Sequence, residues 1–105
     1  MAIAEVAIIP IGTKTTSLSK FVACAVKSLA GEKDLTCTPT CMATIIEGDL
    51  DKIFQAVKRA HQAVIDSGAK RVVTTLKIDD RRDKKATSKT KLESLKKAMG
   101  NYPWD

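Results

Sequence analysis

Aromatic side chains are nearly missing from this chain of 105 residues, which has two Phe, one Tyr and one Trp. Two of those four sit in the tail, at Tyr102 and Trp104, and no strand-like run carries one. A sheet that reads nucleic acid by stacking bases is therefore excluded. Long apolar runs are missing too. None approaches the ~20 residues a membrane helix needs, and no basic, then apolar, then small leader is present, so a cytoplasmic protein without a membrane partner is expected. Cysteine is limited to Cys24, Cys37 and Cys41, an odd set that suits reduced thiols better than a disulfide framework. Cys37 and Cys41 have a spacing that could hold a metal, but no third or fourth ligand lies nearby, so no metal is expected. His61 is the one histidine, with no Ser or Cys at a motif spacing to partner it; it reads as a packed or boundary residue, and an enzyme is not expected.

The length suits one domain over residues 1–105, with 44% hydrophobic and 29% charged residues, an ordinary globular balance. The net charge of +6 is unevenly placed. Lys84, Lys85, Lys89, Lys91, Lys96 and Lys97 against Glu93 put +5 of it within Lys84–Lys97, in the segment 84–105 read as a basic helix and tail. A solvated helix face explains this stripe, and no nucleic-acid partner is expected.

The organising stretch is Ala2 to Thr13. Between Ile3 and Ile9 only Glu5 is polar, which marks a central strand buried on two sides. Pro10 and Gly12 end it. Thr15, Thr16 and Ser17 offer a hydroxyl cap for a helix whose apolar face is Leu18, Phe21, Val22, Ala25, Val26 and Leu29, stopped at Gly31. Leu35–Thr40 and Ala43–Gly48 alternate as a short hairpin, with Pro39 placing the first arm at an edge. Asp49 or Asp51 caps a second helix lined by Ile53, Val57, Ala60 and Val64, with Phe54, His61 and Ile65 beside that line. Arg71–Asp79 is the last strand, followed by the mixed-charge run Asp80 to Asp83. That run is either a salt-bridged strand end or an anion or subunit contact. A third helix carries a narrow stripe of Leu92, Leu95 and Met99, with Thr90 and Glu93 at capping-box spacing. The tail from Tyr102 to Trp104 is expected to dock on another surface.

The order β-α-β-β-α-β plus a helix predicts an α+β fold, the ferredoxin-like split βαβ sandwich with strand order 4-1-3-2. The first, third and fourth strands are expected to put apolar residues on both faces. Soluble monomers avoid such an exposed face, so association through the sheet, as a dimer or a dimer of dimers, is expected. The first loop, Gly12 to Thr15, lacks the Cys-x-x-Cys of a metallochaperone.

Several marks, taken in order, resemble the small thiamine-binding proteins, long filed as an uncharacterised family. They are Pro10 to Thr13, then Ser17 to Ser19, then Met42 to Thr44 with Glu47. Further on come Val57, Lys58, Ala60 and His61, and the ending Arg71 to Asp83. Phe21, the Cys37/Cys41 hairpin and the Trp104 tail depart from the pattern. The resemblance implies a ferredoxin-like fold, tetramers, and reversible binding of thiamine or its hydroxymethyl-pyrimidine half without turnover. No cofactor beyond that ligand is implied. The residues available are Thr13 and Ser19 near the first loop, Thr44 and Glu47 on the third strand, and Thr75 and Lys77 on the last. The first four are expected to converge, with Ile9 and Ile46 as walls and Glu47 pairing the pyrimidine amine. The hydroxyls of Thr13, Ser17 and Ser19 also read as plain cap or loop groups, and Glu47 as a strand-end carboxylate in solvent or paired with Lys77. The rival function is an oligomeric regulatory or interaction module without a catalytic site.

Overall fold

The computed structural model describes residues 1–14 and 18–100. Four strands and three helices follow one another as β1 (Ala2–Pro10), α1 (Ser19–Ala30), β2 (Thr36–Pro39), β3 (Thr44–Gly48), α2 (Leu50–Asp66), β4 (Val72–Asp79) and α3 (Ser88–Met99). The sheet order is β2-β3-β1-β4, with every neighbouring pair antiparallel. This is the ferredoxin-like α+β arrangement predicted from the pattern.

Alternation along the strands fixes the two faces. Ala4 stands opposite Ile46 on one side and Ile78 on the other, and Val6 opposite Thr44 and Leu76. These residues share the face under the helices. Ala2, Ala4, Val6, Ile8 and Ile46 are buried there against Ala25 and Leu29 of α1 and Ile53, Ala56, Val57, Ala60 and Val64 of α2. Alanine at the crossing points lets helix backbones approach the sheet, while Leu29, Ile46, Ile53 and Val64 fill the centre. The Cys24 thiol donates to the Ala63 carbonyl (3.4 Å), tying α1 to α2. His61 is a boundary residue, as expected, its Nδ1 2.6 Å from the Thr74 hydroxyl.

Capping departs from expectation in two places. The N-cap of α1 is Leu18, which makes no side-chain cap bond, and the hydroxyls at Thr15, Thr16 and Ser17 lie outside the described residues. The capping box of α3 is formed one turn earlier than the spacing implied, by Thr87 and Thr90. Asp49 rather than Asp51 caps α2, accepting the Lys52 N–H (3.3 Å). At Gly48 an added Cβ would come within 2.4 Å of Leu35 Cδ2 and 3.1 Å of the Asp34 carbonyl. Glycine there lets the β2 entry close over the end of β3.

The other sheet face carries Ile3, Glu5, Ala7 and Ile9 of β1, Ile45 and Glu47 of β3, and Val73, Thr75, Lys77 and Asp79 of β4. The apolar part is a line of Ile3, Ala7, Ile9, Ile45 and Val73. The fourth strand does not match the two-faced expectation, since beyond Val73 its open side is polar. The third helix touches this face through its first turn and then stands away from the body, with Leu92, Leu95 and Met99 exposed.

Candidate functional site

A mismatch in strand length creates an uncharged cavity. β1 has nine residues and β3 five, and their ladder ends where Val6 meets Thr44. β1 continues to Pro10 against β4 alone. The Ile11 N–H donates to the Arg71 carbonyl (2.8 Å), so odd-numbered residues of β1 turn their backbone groups to β4 and even-numbered ones to the β3 side. Pro10, at an even position, therefore costs no ladder bond. Ile8 presents its N–H and carbonyl where β3 has no residue to meet them.

Val22, Ala25, Val26 and Leu29 of α1 roof this gap, and the hairpin tip closes its outer side, leaving a cavity of about 180 Å³. The tip is a built turn. The Thr40 hydroxyl donates to the Ala43 carbonyl (2.6 Å) and accepts the N–H groups of Ala43 (3.1 Å) and Met42 (3.4 Å). The lining is apolar apart from Thr40, Cys41 and Thr44, and it contains no Asp, Glu, Lys, Arg or His. Thr44 is 6% exposed and stands on the cavity lining.

The six residues predicted from sequence do not meet at one point. Thr44 and Glu47 are three apart on a strand and so face opposite sides of the sheet, which overturns their expected convergence. Glu47 lies opposite Ile3 at the start of β1, and Thr13 follows its end, so roughly 23 Å of strand separates them. Thr13 is half-buried beside a separate cleft with Lys14, Lys20 and Lys70, and Ser19 is exposed at the first position of α1. Thr75 and Lys77 are exposed on the open face opposite Ala7 and Glu5. Of the predicted walls, Ile9 lines the cavity, and Ile46 is buried in the core outside it.

Glu47 has other work. Its carboxylate accepts the Ser88 N–H (2.6 Å) at Oε1 and the Ser88 hydroxyl (3.0 Å) at Oε2. A negative group there binds the exposed N–H end of α3, where the helix dipole favours it. The expected pairing with Lys77 does not occur, because β1 lies between their strands. Lys91 of α3 pairs with Asp79 on the same side.

The charged run after β4 resolves into two local pairs, Arg81 with Asp83 (2.5 Å) and Arg82 with Asp80 (2.8 Å). The Arg81 hydrogen bonds hold the Asp83 carboxyl down at about 2, and the Arg82 bond lowers that of Asp80. The salt-bridged strand end is therefore the reading realised here. Among the described residues, no group of three or more His, Cys, Asp or Glu side chains could hold a metal, and no helix is long and apolar enough to cross a membrane.

Residues that sequence reasoning missed are Val22, Val26, Cys41 and the Ile8 backbone. Val22 and Val26 were assigned to the packed face of α1, yet Val22 is 48% exposed because the short hairpin stops beneath it. The signal was available in the unequal lengths of the two central apolar runs.

Fold and site together define a small ferredoxin-like sandwich with an uncharged cavity beneath its first helix. The chain belongs to the family described as thiamine-binding protein, whose model matches residues 4–96. It is 47% identical over 102 residues to the UPF0045 protein YqgV of Bacillus subtilis, covering 94% of this chain and 98% of that protein. A UPF0045 protein of Methanothermobacter thermautotrophicus is 47% identical over 100 residues, 94% of this chain and all of its own. Among solved structures, a hypothetical protein of Methanocaldococcus jannaschii superposes with a TM-score of 0.83 at 42% identity, over 90% of this chain and 94% of that one. A Thermotoga maritima protein provisionally assigned to thiamine biosynthesis or salvage shares the fold, with a TM-score of 0.77 at 19% identity over 90% and 97% of the two chains.

Proposed function

We propose that this protein binds a small, flat, neutral heterocycle reversibly and without catalysis, and that the ligand is the hydroxymethyl-pyrimidine moiety of thiamine or thiamine itself. The observation that carries this reading is a cavity with uncharged, mostly apolar walls that has the Thr40 and Thr44 side chains on its lining. An aminopyrimidine ring has donors and acceptors along its edge. The Thr44 hydroxyl and the N–H and carbonyl of Ile8, which lies past the end of the β1–β3 ladder, offer matching groups, and the valines of α1 offer an apolar lid. The volume, about 180 Å³, supports a single ring inside, since drug-sized ligands occupy about 300–1,000 Å³. In thiamine the cationic thiazolium would then extend past Cys41 and Met42 into water. Family membership supports the ligand class.

Of the predicted binding residues, Thr44 is retained in this reading. Glu47, Thr75 and Lys77 belong to the open face, and Thr13 and Ser19 to the first loop. No cofactor or metal takes part, and three free cysteines suit a cytoplasmic setting. Isothermal titration tests the proposal: hydroxymethyl-pyrimidine gives saturable heat, and Thr44→Val weakens it by about 1 kcal/mol, a factor of roughly five. Equal affinity in the variant would overturn it.

A second reading has its own observation. The open sheet face has exposed Ile9 and Val73, and α3 stands off the body with its apolar stripe bare. Both support self-association through that face.

A further inference from the structure

Where β1 leaves the sheet, positive charge gathers without a counter-charge. Three separate segments meet there: Ile11 to Lys14, the first turn of α1 at Lys20 and Phe21, and the link from α2 to β4 at Gly68 to Lys70. Between them lies a cleft of about 490 Å³, whose lining holds Lys14, Lys20 and Lys70 but no Asp or Glu. None of the ion pairs of the described residues uses one of these lysines. Asp66, in the last turn of α2, lies off the lining and accepts from Gln62 Nε2 (2.8 Å). Ammonium groups around one concave space repel each other and focus a positive potential within it. An anion placed among them removes that repulsion.

The rest of the cleft suits an anion that carries an apolar body. α1 has no acidic residue in its first turn and no side-chain bond at its N-cap, so the positive end of its dipole adds to the lysines. Gly12 (φ 77°) and Gly68 (φ 119°) have only open space where a Cβ would stand, so bare backbone borders the cleft on two sides. Ile11, Phe21 and Ala69 form the apolar part, and Phe21 is anchored by packing against the core. A concave space of this size suits a small molecule rather than a duplex or a membrane surface.

We infer that this cleft is a second ligand site, which holds the phosphate of a small phosphate monoester on its three lysines and the ester's apolar body against Ile11 and Phe21. Lysine serves such a group as a point charge, and its hydrogen bonds to phosphate oxygens are charge-assisted. The site stands independently of the ligand assigned to the cavity under α1, whose lining shares no residue with it.

Isothermal titration of the full-length protein with phenyl phosphate tests this, with inorganic phosphate and phenol as its two halves. Saturable heat is expected with phenyl phosphate, about tenfold weaker binding with inorganic phosphate, and none with phenol at the same concentration. Inorganic phosphate binding as tightly as the ester would overturn the apolar subsite, and no saturation by either phosphate would overturn the site. Lys70→Gln is expected to weaken phenyl phosphate about tenfold. Lys58→Gln, the same charge change at an exposed position of α2 off the cleft, leaves affinity unchanged. Equal losses in the two variants would reduce the effect to net charge and overturn the assignment. A short DNA duplex held more tightly than the ester, through Lys70, would overturn the small ligand in favour of nucleic acid. In the unsubstituted protein, phenyl phosphate is expected to move the amide NMR signals of Gly12 and Gly68 but not that of Ala43 at the hairpin tip. Unmoved glycines would overturn the placement even where heat is seen.

Discussion

Thr44 and Glu47 show how a difference of three positions decides a role. Both are buried polar residues on one short strand, and pleating sends them to opposite sides. Thr44 lines a mostly apolar cavity; Glu47 meets the N–H end of a helix. The two substitutions therefore have different consequences. Thr44→Val replaces a cavity-lining hydroxyl with a methyl group of like size, so its melting temperature is expected to change little while ligand affinity falls. Glu47→Gln puts amide hydrogens against the Ser88 donors and costs about 1–3 kcal/mol, read by denaturant unfolding, with faster amide exchange in α3. Asp83 gives a third test at this scale. Its carboxyl is depressed in the folded protein, so the pair with Arg81 favours folding above the usual aspartate range. That contribution fades as pH falls from about 4 through about 2. The pair is exposed, so the effect on unfolding is small and shrinks with added salt. An NMR titration midpoint for Asp83 near 4 would contradict the pairing.

At the level of elements, the chain's pattern was legible wherever burial imposes a period. The two core helices, the hairpin, the edge position of Pro39 and the strand order all followed from alternation, turn residues and apolar spacing. What did not follow depends on relations between elements. Faces of β3 could be read from spacing, but that Ser88 would come back to Glu47, forty-one residues later, could not. The end of the β1–β3 ladder is likewise a property of a pair of strands. Neither Val22 nor Ile8 announces that it borders a gap. The close approach at Gly48 is of the same kind. Gly48→Ala forces its Cβ into Leu35 and the Asp34 carbonyl, at a φ of 156° that disfavours a side chain. A loss of about 1–3 kcal/mol in urea unfolding is expected, and full wild-type stability would show that the β2 entry gives way freely.

For the molecule as a whole, the two sheet faces divide the work. The helix side holds the core and the cavity, and the open side holds an apolar line bordered by Glu5, Lys77 and Asp79, with α3 tethered at one end. An assembly built on the open side would cover Ile9, Val73 and the stripe of α3, and Ile9 also lines the cavity. Sedimentation at micromolar concentration is expected to give a species larger than 11.4 kDa, and Ile9→Lys to shift it towards that mass. A wild-type particle that stays at 11.4 kDa on dilution and concentration alike would remove self-association from the account.

The most direct test of the binding claim is a crystal soaked with hydroxymethyl-pyrimidine. The ring is expected between α1 and the hairpin tip, within hydrogen-bond distance of the Thr44 hydroxyl and the Ile8 backbone. Clear density for the ring on the open face beside Lys77, with the cavity under α1 unchanged, would contradict it.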